Sequence, residues 1–586
     1  MIDHVSPAKD SDTAIQGRIM RTFAKKHDIR MFDIGENGVC HALIPEYGLV
    51  LPGDVGIMGD SHTCTHGAFC TLSFGVGTTD LESGLITGNV AIGKQEVIRV
   101  NFVGKLSKNV FSKDMILQLL ATIKTNGATN AILEFGGNVI DEMNMEQRMT
   151  ITNMSVEAGA TSGMMMVDEN TINYLWPIIS ENYDDKESAL LDLSRFNSDD
   201  DCEYAKTVTI DVTDMQPMIT DGYSPDEGIN VSNLRGKKVD QVYIGSCTNG
   251  RIEDFRIVAH IFQQTGAMVC DGVRCIITPT TQRVQQQMVE EGIFKILSEA
   301  NCYMSGPTCG ACLGMSNGVL APDEVCVSTT NRNFPGRMGK NAMVHLASPA
   351  VAAITAIMGY IDVPGEELLD SLYQDWAFDN VAKPVELVYK SFDEIDYKSL
   401  VSNDGGSKLT FGGMIFHLPK ENVDTDQIIP ARYLTKVELS VFGEHCLEDA
   451  GLTDSQKAQL GPAGVLISGK NFGCGSSREH AVYAFRESGI NTVIAPSFAR
   501  IFETSMFNNG MLCITMSQED IDKIIDKCFV DVLDIDVNKG IISTKHTKEE
   551  IVSFSLTNQQ KKLIDAGGSM GMMIELAAKL NSKEED

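Results

Sequence analysis

The chain reads as an α/β protein built on largely parallel sheets, and three features point that way. Short β-rich runs, VDQVYIGS at 239–246, GVRCIITP at 272–279 and NTVIAPS at 491–497, each end in small or turn-forming residues. Such runs alternate with helical stretches such as SKDMILQLLATIK at 112–124. The 586 residues are enough for about three or four domains, each with its own core. In folds of this class ligands gather in loops at the strand ends, so functional residues are expected there.

Composition narrows the function. A formal charge of -31 repels phosphate backbones, and no basic or aromatic-rich stripe offsets it, so nucleic-acid binding is not expected. The 43% hydrophobic content is spread without a membrane-length apolar run, and a membrane role is not expected. The opening MIDHVSPAKD lacks a basic region followed by an apolar stretch, which points to the cytoplasm. Fifteen cysteines, odd in number and irregular in spacing, suit reduced thiols or metal ligation better than disulfides. Most, such as Cys270, Cys275 and Cys326, read as core residues.

From the N-terminus onward, Asp3-His4 and His41 in NGVCHAL are candidate proton carriers, each also readable as structural. The strand-like VGIMG leads into GDSHTCTHG, where Asp60, Ser61, His62 and His66 make a polar loop able to hold a hydroxyl and move its proton. The alternative is a turn in which Asp60 and Ser61 satisfy local backbone. Cys247 in YIGSCTNGR ends a predicted strand, and Cys309 and Cys312 lie in GPTCGAC. Three thiolates on loops can hold an iron–sulfur cluster and leave one iron without a protein ligand. A CxxC serves zinc or redox chemistry equally, but zinc would want a fourth ligand, and His260 and His345 are the only histidines between residues 67 and 416. TTNRNFPGR supplies Arg332 and Arg337, able to clamp a dianion or to lie on a solvated face.

After an Ala-rich helix around Ser348 to Tyr360 the composition changes. We expect a large module at 1–362, a connector at 363–408 that ends in SNDGGSK, and a small module at 409–586 with a frayed NSKEED end. In the small module GKNFGCGSSREHAVYAF sets glycines before Ser476, Ser477 and Arg478. A helix start there would offer bare N–H groups to a carboxylate. The structural alternative is a capping box of Ser476 with Glu479.

GDSHTCTHGAF, ILEFGG, YIGSCTNGRIEDFR, GPTCGACLG, STTNRNFPGR, DTDQIIPARYL and GKNFGCGSSREHA occur in family order over nearly the whole chain. Together they resemble the aconitase superfamily, in its isopropylmalate dehydratase and homoaconitase branch, with large-type and small-type modules fused. The resemblance implies a three-domain α/β large module around an iron–sulfur cluster plus a smaller swivelling α/β module. It further implies a hydro-lyase acting on a small hydroxy di- or tricarboxylic acid, with a place in leucine biosynthesis.

By that resemblance Cys247, Cys309 and Cys312 ligate a [4Fe-4S] cluster. Ser476 takes the proton α to a carboxylate, with Ser477 and Arg478 beside it. His4, paired with Asp3, protonates the leaving hydroxyl, which Asp60 and His62 hold. His41 and Glu134 are a supporting histidine and carboxylate, and Ser61, Arg332 and Arg337 contact substrate carboxylates. Relatives carry a further segment before the Asp-His pair, so the first module is expected to be short at its N-terminus. A cluster-free RNA regulator and an inactive truncated paralogue are the alternatives of another class. Among substrates, homoaconitase relatives resemble YLRT where this chain has YLTK, with Thr435 in the arginine's place and Lys436 next to it. That favours 3-isopropylmalate or 2,3-dimethylmalate over homocitrate and citrate. The oligomeric state is not readable.

Overall fold

Two compact units make up the chain. The first takes Met1–Ile57, His62–Phe74 and Lys94–Leu387, and the second Met58–Ser61, Gly75–Gly93 and Val388–Asp586. The computed structural model describes residues 2–314, 317–372, 409–436, 438–528 and 532–581. Most of the connector expected at 363–408, Val437 and most of the NSKEED end lie outside the described residues.

In the first unit the strands expected at 239–246 and 272–279 form as Gln241–Gly245 and Arg274–Thr278. They belong to a five-stranded parallel sheet. The chain builds outward from Gln241–Gly245 through Arg274–Thr278 to Tyr303–Met304. It then crosses to the other side for Val325–Ser328 and Met343–Leu346. That reversal puts Gln241–Gly245 beside Val325–Ser328, and the crevice at the carboxyl ends of such neighbours is where ligands collect in this class. The helices Ile252–Thr265 and Pro349–Met358 pack on this sheet with Val242, Ile244, Phe255 and Ile261. Each such fully buried side chain is worth roughly 1.5–3 kcal/mol of transfer free energy.

A second parallel sheet, ordered Ser162–Met165, Ala131–Gly136, Glu96–Val103, Lys206–Asp211, packs against helix Ser112–Ile123. The α/β class is therefore the one expected. Two of the large module's parallel sheets are present among the described residues. Residues before Glu96 form helices and a two-stranded ribbon, Val55–Met58 with Leu72–Gly75.

The second unit holds a seven-stranded sheet. Gly412–Leu418, Ala463–Ser468, Thr492–Ala495 and Leu512–Thr515 are parallel, and three antiparallel strands from Leu533 to Ser553 extend the Gly412 edge. Phe472 stacks on Phe485, and Phe502 meets both rings edge-on. In DTDQ, the Asp424 carboxylate accepts from Asp426 N at 2.7 Å and Gln427 N at 3.0 Å, which caps the short turn Thr425–Ile428.

GDSHTCTHGAF forms the 3-10 segment Ser61–Phe69 rather than an open loop. Gly67 fixes its depth, because a Cβ there would run into the Gly163 backbone carbonyl. Backbone cannot rotate aside as a side chain does, so Gly67→Ala is expected to destabilise the fold by about 1–3 kcal/mol or more. Urea unfolding with an unchanged slope measures this, and a change within error would mean that the segment is free to shift.

Candidate active site

Cys247 follows the fully buried strand Gln241–Gly245, separated from it by Ser246 at φ 90°. That positive φ is strained for a residue with a Cβ. Cys309 immediately precedes the 3-10 segment Gly310–Leu313 and Cys312 lies within it, with Gly310 and Gly314 in the left-handed region. All three thiols are buried, at 1%, 2% and 6% exposure, and they cluster together with Val39. The backbone holds them: Cys309 N donates to Asp3 O at 3.0 Å, and Arg251 Nη1 donates to Cys247 O at 2.7 Å.

Two asparagines address the sulfurs. Asn153 Nδ2 donates to Cys247 Sγ at 3.3 Å, and Asn331 Nδ2 donates to the same sulfur at 3.2 Å. The Cys312 thiol donates to Asn331 Oδ1 at 3.2 Å. Hydrogen bonds from Cys247 and Cys309, aided by Arg337 and His62, pull Cys312 well below the ordinary thiol value, whereas the bond to Cys312 pushes Cys309 up. A buried set of three soft sulfur donors, with amide N–H groups turned to sulfur, fits an iron–sulfur cluster. The two histidines considered as a zinc ligand have other surroundings: His345 Nδ1 bonds Thr220 O at 2.6 Å, and His260 is fully buried on helix Ile252–Thr265.

The imidazoles and carboxylates expected in the first unit come together in part. His4 Nδ1 lies 2.7 Å from Asp3 Oδ1, with both side chains partly exposed. His41, fully buried on helix Cys40–Glu46, has its ring centre 6.3 Å from His62 and 5.7 Å from His66. His62 Nε2 lies 2.8 Å from Glu157 Oε1, and Arg332 Nε donates to Glu157 Oε2 at 3.0 Å while lying 2.8 Å from Oε1. Arg337 is buried as well. Glu134 is occupied elsewhere, by Arg99 Nη1 at 2.6 Å, Ser198 Oγ at 2.6 Å and Tyr204 OH at 2.7 Å. The carboxylate on His62 is Glu157, while Glu134, expected as a supporting carboxylate, meets Arg99, Ser198 and Tyr204. Asn153, Glu157 and Asn331 escaped the sequence reading. Only Asn331, inside TTNRNF, lay in a motif already singled out.

In the second unit Ser476 Oγ is 3.2 Å from Thr425 Oγ1, which also accepts from Ser476 N at 3.2 Å. Arg478 pairs with Asp426, and Ser477 Oγ donates to Gly59 O at 2.8 Å. Asp60 and Ser61 follow Gly59 in the chain, ahead of the return to the first unit at His62. The capping box of Ser476 with Glu479 does not form. The helix begins only at His480, and the Glu479 carboxylate is taken by Thr79 and by Asn509 Nδ2 at 2.5 Å. Ser476 consequently lies before the helix rather than in its first turn. Thr435 is buried, while the Lys436 side chain is exposed.

Parallel sheets whose carboxyl-edge loops carry three buried thiols fit the class of iron–sulfur enzymes. The family described as "Aconitase family (aconitate hydratase)" matches residues 3–237 and 230–359, and its C-terminal domain matches residues 408–519. The chain belongs to the aconitase family and is a [4Fe-4S] hydro-lyase with both regions in one polypeptide. It is 52% identical over 369 residues to the 3-isopropylmalate dehydratase large subunit of Geotalea uraniireducens, covering 63% of this chain and 86% of that protein. The corresponding subunit of Citrifermentans bemidjiense is 53% identical over 365 residues, with 62% and 85% covered. Among solved structures, 3-isopropylmalate dehydratase (leuD) from Methanocaldococcus jannaschii is 30% identical over 30% of this chain and 99% of its own, with a TM-score of 0.25. No described helix is long and apolar enough to cross a membrane.

The Glu157 network yields a pH prediction. Burial alone would raise this carboxyl, but Arg332 and His62 outweigh it and hold it below its ordinary value. A group lowered on folding contributes stability that is present above its unfolded pKa and lost as pH falls through the folded one. Glu157→Gln, which takes the buried carboxylate away from Arg332 and His62, is expected to cost about 3–5 kcal/mol at neutral pH. It should also lose less further stability than the wild type below about pH 4. Thermal melts across pH read both effects, and parallel acid limbs would show that Glu157 carries no charge.

Proposed function

We propose that the protein is a 3-isopropylmalate dehydratase, which takes water from the hydroxy acid and returns it at the neighbouring carbon. The observation that carries this reading is the set of three buried thiols with two asparagine amides on sulfur. It is supported by the 52% identity to a 3-isopropylmalate dehydratase large subunit. Cys247, Cys309 and Cys312 would hold the cluster. When bound, the cluster supplies an iron open to substrate oxygen, a Lewis acid beside a poor leaving group.

The remaining chemistry belongs to side chains. The proton α to a carboxylate goes to Ser476 Oγ, and its electron pair forms the new carbon–carbon double bond as the hydroxyl departs. That hydroxyl leaves as water after a proton from His4, whose imidazole Asp3 orients. Asp60 and His62 hold the departing oxygen, His62 fixed by Glu157 and His41 packed near it. Arg332, Arg337, Ser61, Ser477 and Arg478 receive the carboxylates.

The substrate choice rests on Thr435 and Lys436. A distal carboxylate would find a buried hydroxyl at Thr435, whereas Lys436 is an exposed residue. Burying an unpaired charge costs at least several kcal/mol, so a branched apolar group is preferred. On anaerobically reconstituted protein, 3-isopropylmalate or 2,3-dimethylmalate should exceed homocitrate and citrate in kcat/KM at least about tenfold, which needs only about 1.4 kcal/mol. Homocitrate or citrate as best substrate, with that preference lost in Lys436→Ala, would overturn the choice.

Two variants test the roles. Ser476→Ala should keep its iron and bind substrate but lose most of kcat; a rise in KM alone would leave the serine a structural part. Cys309→Ser should fail to hold a normal cluster, and stoichiometric zinc without iron in the wild type would refute the assignment.

A further inference from the structure

Helix Ser112–Ile123 opens with three buried residues, Ser112, Lys113 and Asp114. Lys113 is 0% exposed. An ammonium there is disfavoured twice, by loss of hydration and by the partial positive charge of the helix start. Its neighbours compensate only partly. Lys113 Nζ donates to Thr329 O at 3.1 Å and Thr330 O at 2.6 Å, and it forms no ion pair among the described residues. The adjacent carboxylates serve backbone groups: Asp114 accepts from Phe111 N and Met218 N, each at 2.8 Å, and Asp254 accepts from Arg251 N at 3.0 Å.

What the lysine grips is informative. Thr329 and Thr330 immediately precede Asn331, whose amide donates to Cys247 Sγ and whose oxygen accepts from Cys312 Sγ, both at 3.2 Å. Thr329 is also locked to the strand before Cys247, its hydroxyl accepting from Gly245 N at 2.9 Å. Burial draws the ammonium down to about 7, and Asp254 is the foremost of the charges that oppose that pull. A [4Fe-4S] dication on three thiolates carries one net negative charge, and that charge needs a counter-cation where water is excluded.

We propose that Lys113 is a positioning residue and the buried counter-cation of the three-thiol site. It fixes the backbone that carries the sulfur-facing Asn331 amide, and its charge offsets that of the ligated cluster. The proposal rests on Cys247, Cys309 and Cys312 being the ligands.

The test uses the full chain, reconstituted anaerobically, as wild type, Lys113→Met, Lys113→Gln and Lys113→Arg. Iron and sulfide are counted, and the cluster's midpoint potential is titrated by EPR. With the cation removed, the oxidised form is favoured. Met and Gln should therefore raise the oxidised-to-reduced ratio at a fixed potential about tenfold, a downward shift of about 59 mV for one electron. Arg should stay near the wild type. A folded Met or Gln variant with a lower Tm but an unchanged potential overturns the proposal, because a purely structural lysine would give that result. Should Met fail to fold, Gln, which keeps an N–H for a carbonyl, decides. Neutral variants that both unfold without the cluster overturn it too. A wild type that binds no iron refutes the ligand assignment itself, a result distinct from any difference between variants.

Discussion

Sulfur binds iron as thiolate, and three thiolates closed off from water concentrate negative charge where solvation cannot spread it. The surroundings of Cys247, Cys309 and Cys312 answer that constraint. Asn153 and Asn331 turn amide N–H groups to Cys247 rather than to backbone carbonyls. Arg251 binds the Cys247 carbonyl, and Arg337 lies near enough to draw Cys312 down. These donors have fixed directions, so each backbone stretch that carries one must itself be pinned. Thr248 Oγ1 holds Asn153 Oδ1 at 2.7 Å, and Thr329 is bonded to Gly245. The three thiols sit in a polar network whose satisfied geometry is the one that the proposed cluster ligation would need.

The five-stranded sheet lets residues so distant in sequence meet. Its order reverses beside Gln241–Gly245, and the two strands flanking the reversal end next to each other. One delivers Cys247 and the other Asn331 and Arg332, both on short loops from rigid strands. The strain at Ser246 is confined to the first of those loops. A parallel sheet exposes all its carboxyl ends on one edge, so Cys309 and Cys312, after Tyr303–Met304, also emerge on that edge.

Much of this was readable before any coordinates. Strand runs ending in small residues gave the α/β class, and the three cysteines stood out because thiols on strand-end loops have a distinctive chemistry. The supporting groups were not readable in the same way. Glu157 lies on a 3-10 turn, Met154–Ala158, where nothing local marks it, and its partners His62 and Arg332 are 95 and 175 residues away. Glu134, in the conspicuous ILEFGG, drew attention instead, although Arg99, Ser198 and Tyr204 occupy it. Ser476 with Glu479 has capping-box spacing, but the box failed because Thr79 and Asn509 offer Glu479 better donors than a helix start would. Local patterns reported local bonds, and long-range competition decided the remainder.

Net charge poses one more physical question, since a chain of formal charge -31 must accept a substrate that is itself an anion. Screening separates the two scales. At physiological salt the field of exposed carboxylates decays over about 8 Å, whereas charges in a water-poor interior are screened far less. The arginines proposed to receive the substrate's carboxylates are each buried: Arg332 and Arg337 at 2% and 4% exposure, and Arg478 with its side chain at 7%. They are also unequal. Arg332 shares its charge with Glu157, and Arg478 shares its own with Asp426. A guanidinium already paired presents a direction for a second carboxylate more than a free charge. Such pairing limits how strongly an anion is held before reaction and leaves the gain for the stage at which charge moves onto the carboxylate oxygens. On the proposed roles, interior arginines, of which Arg332 and Arg478 are already paired, would set affinity for the substrate.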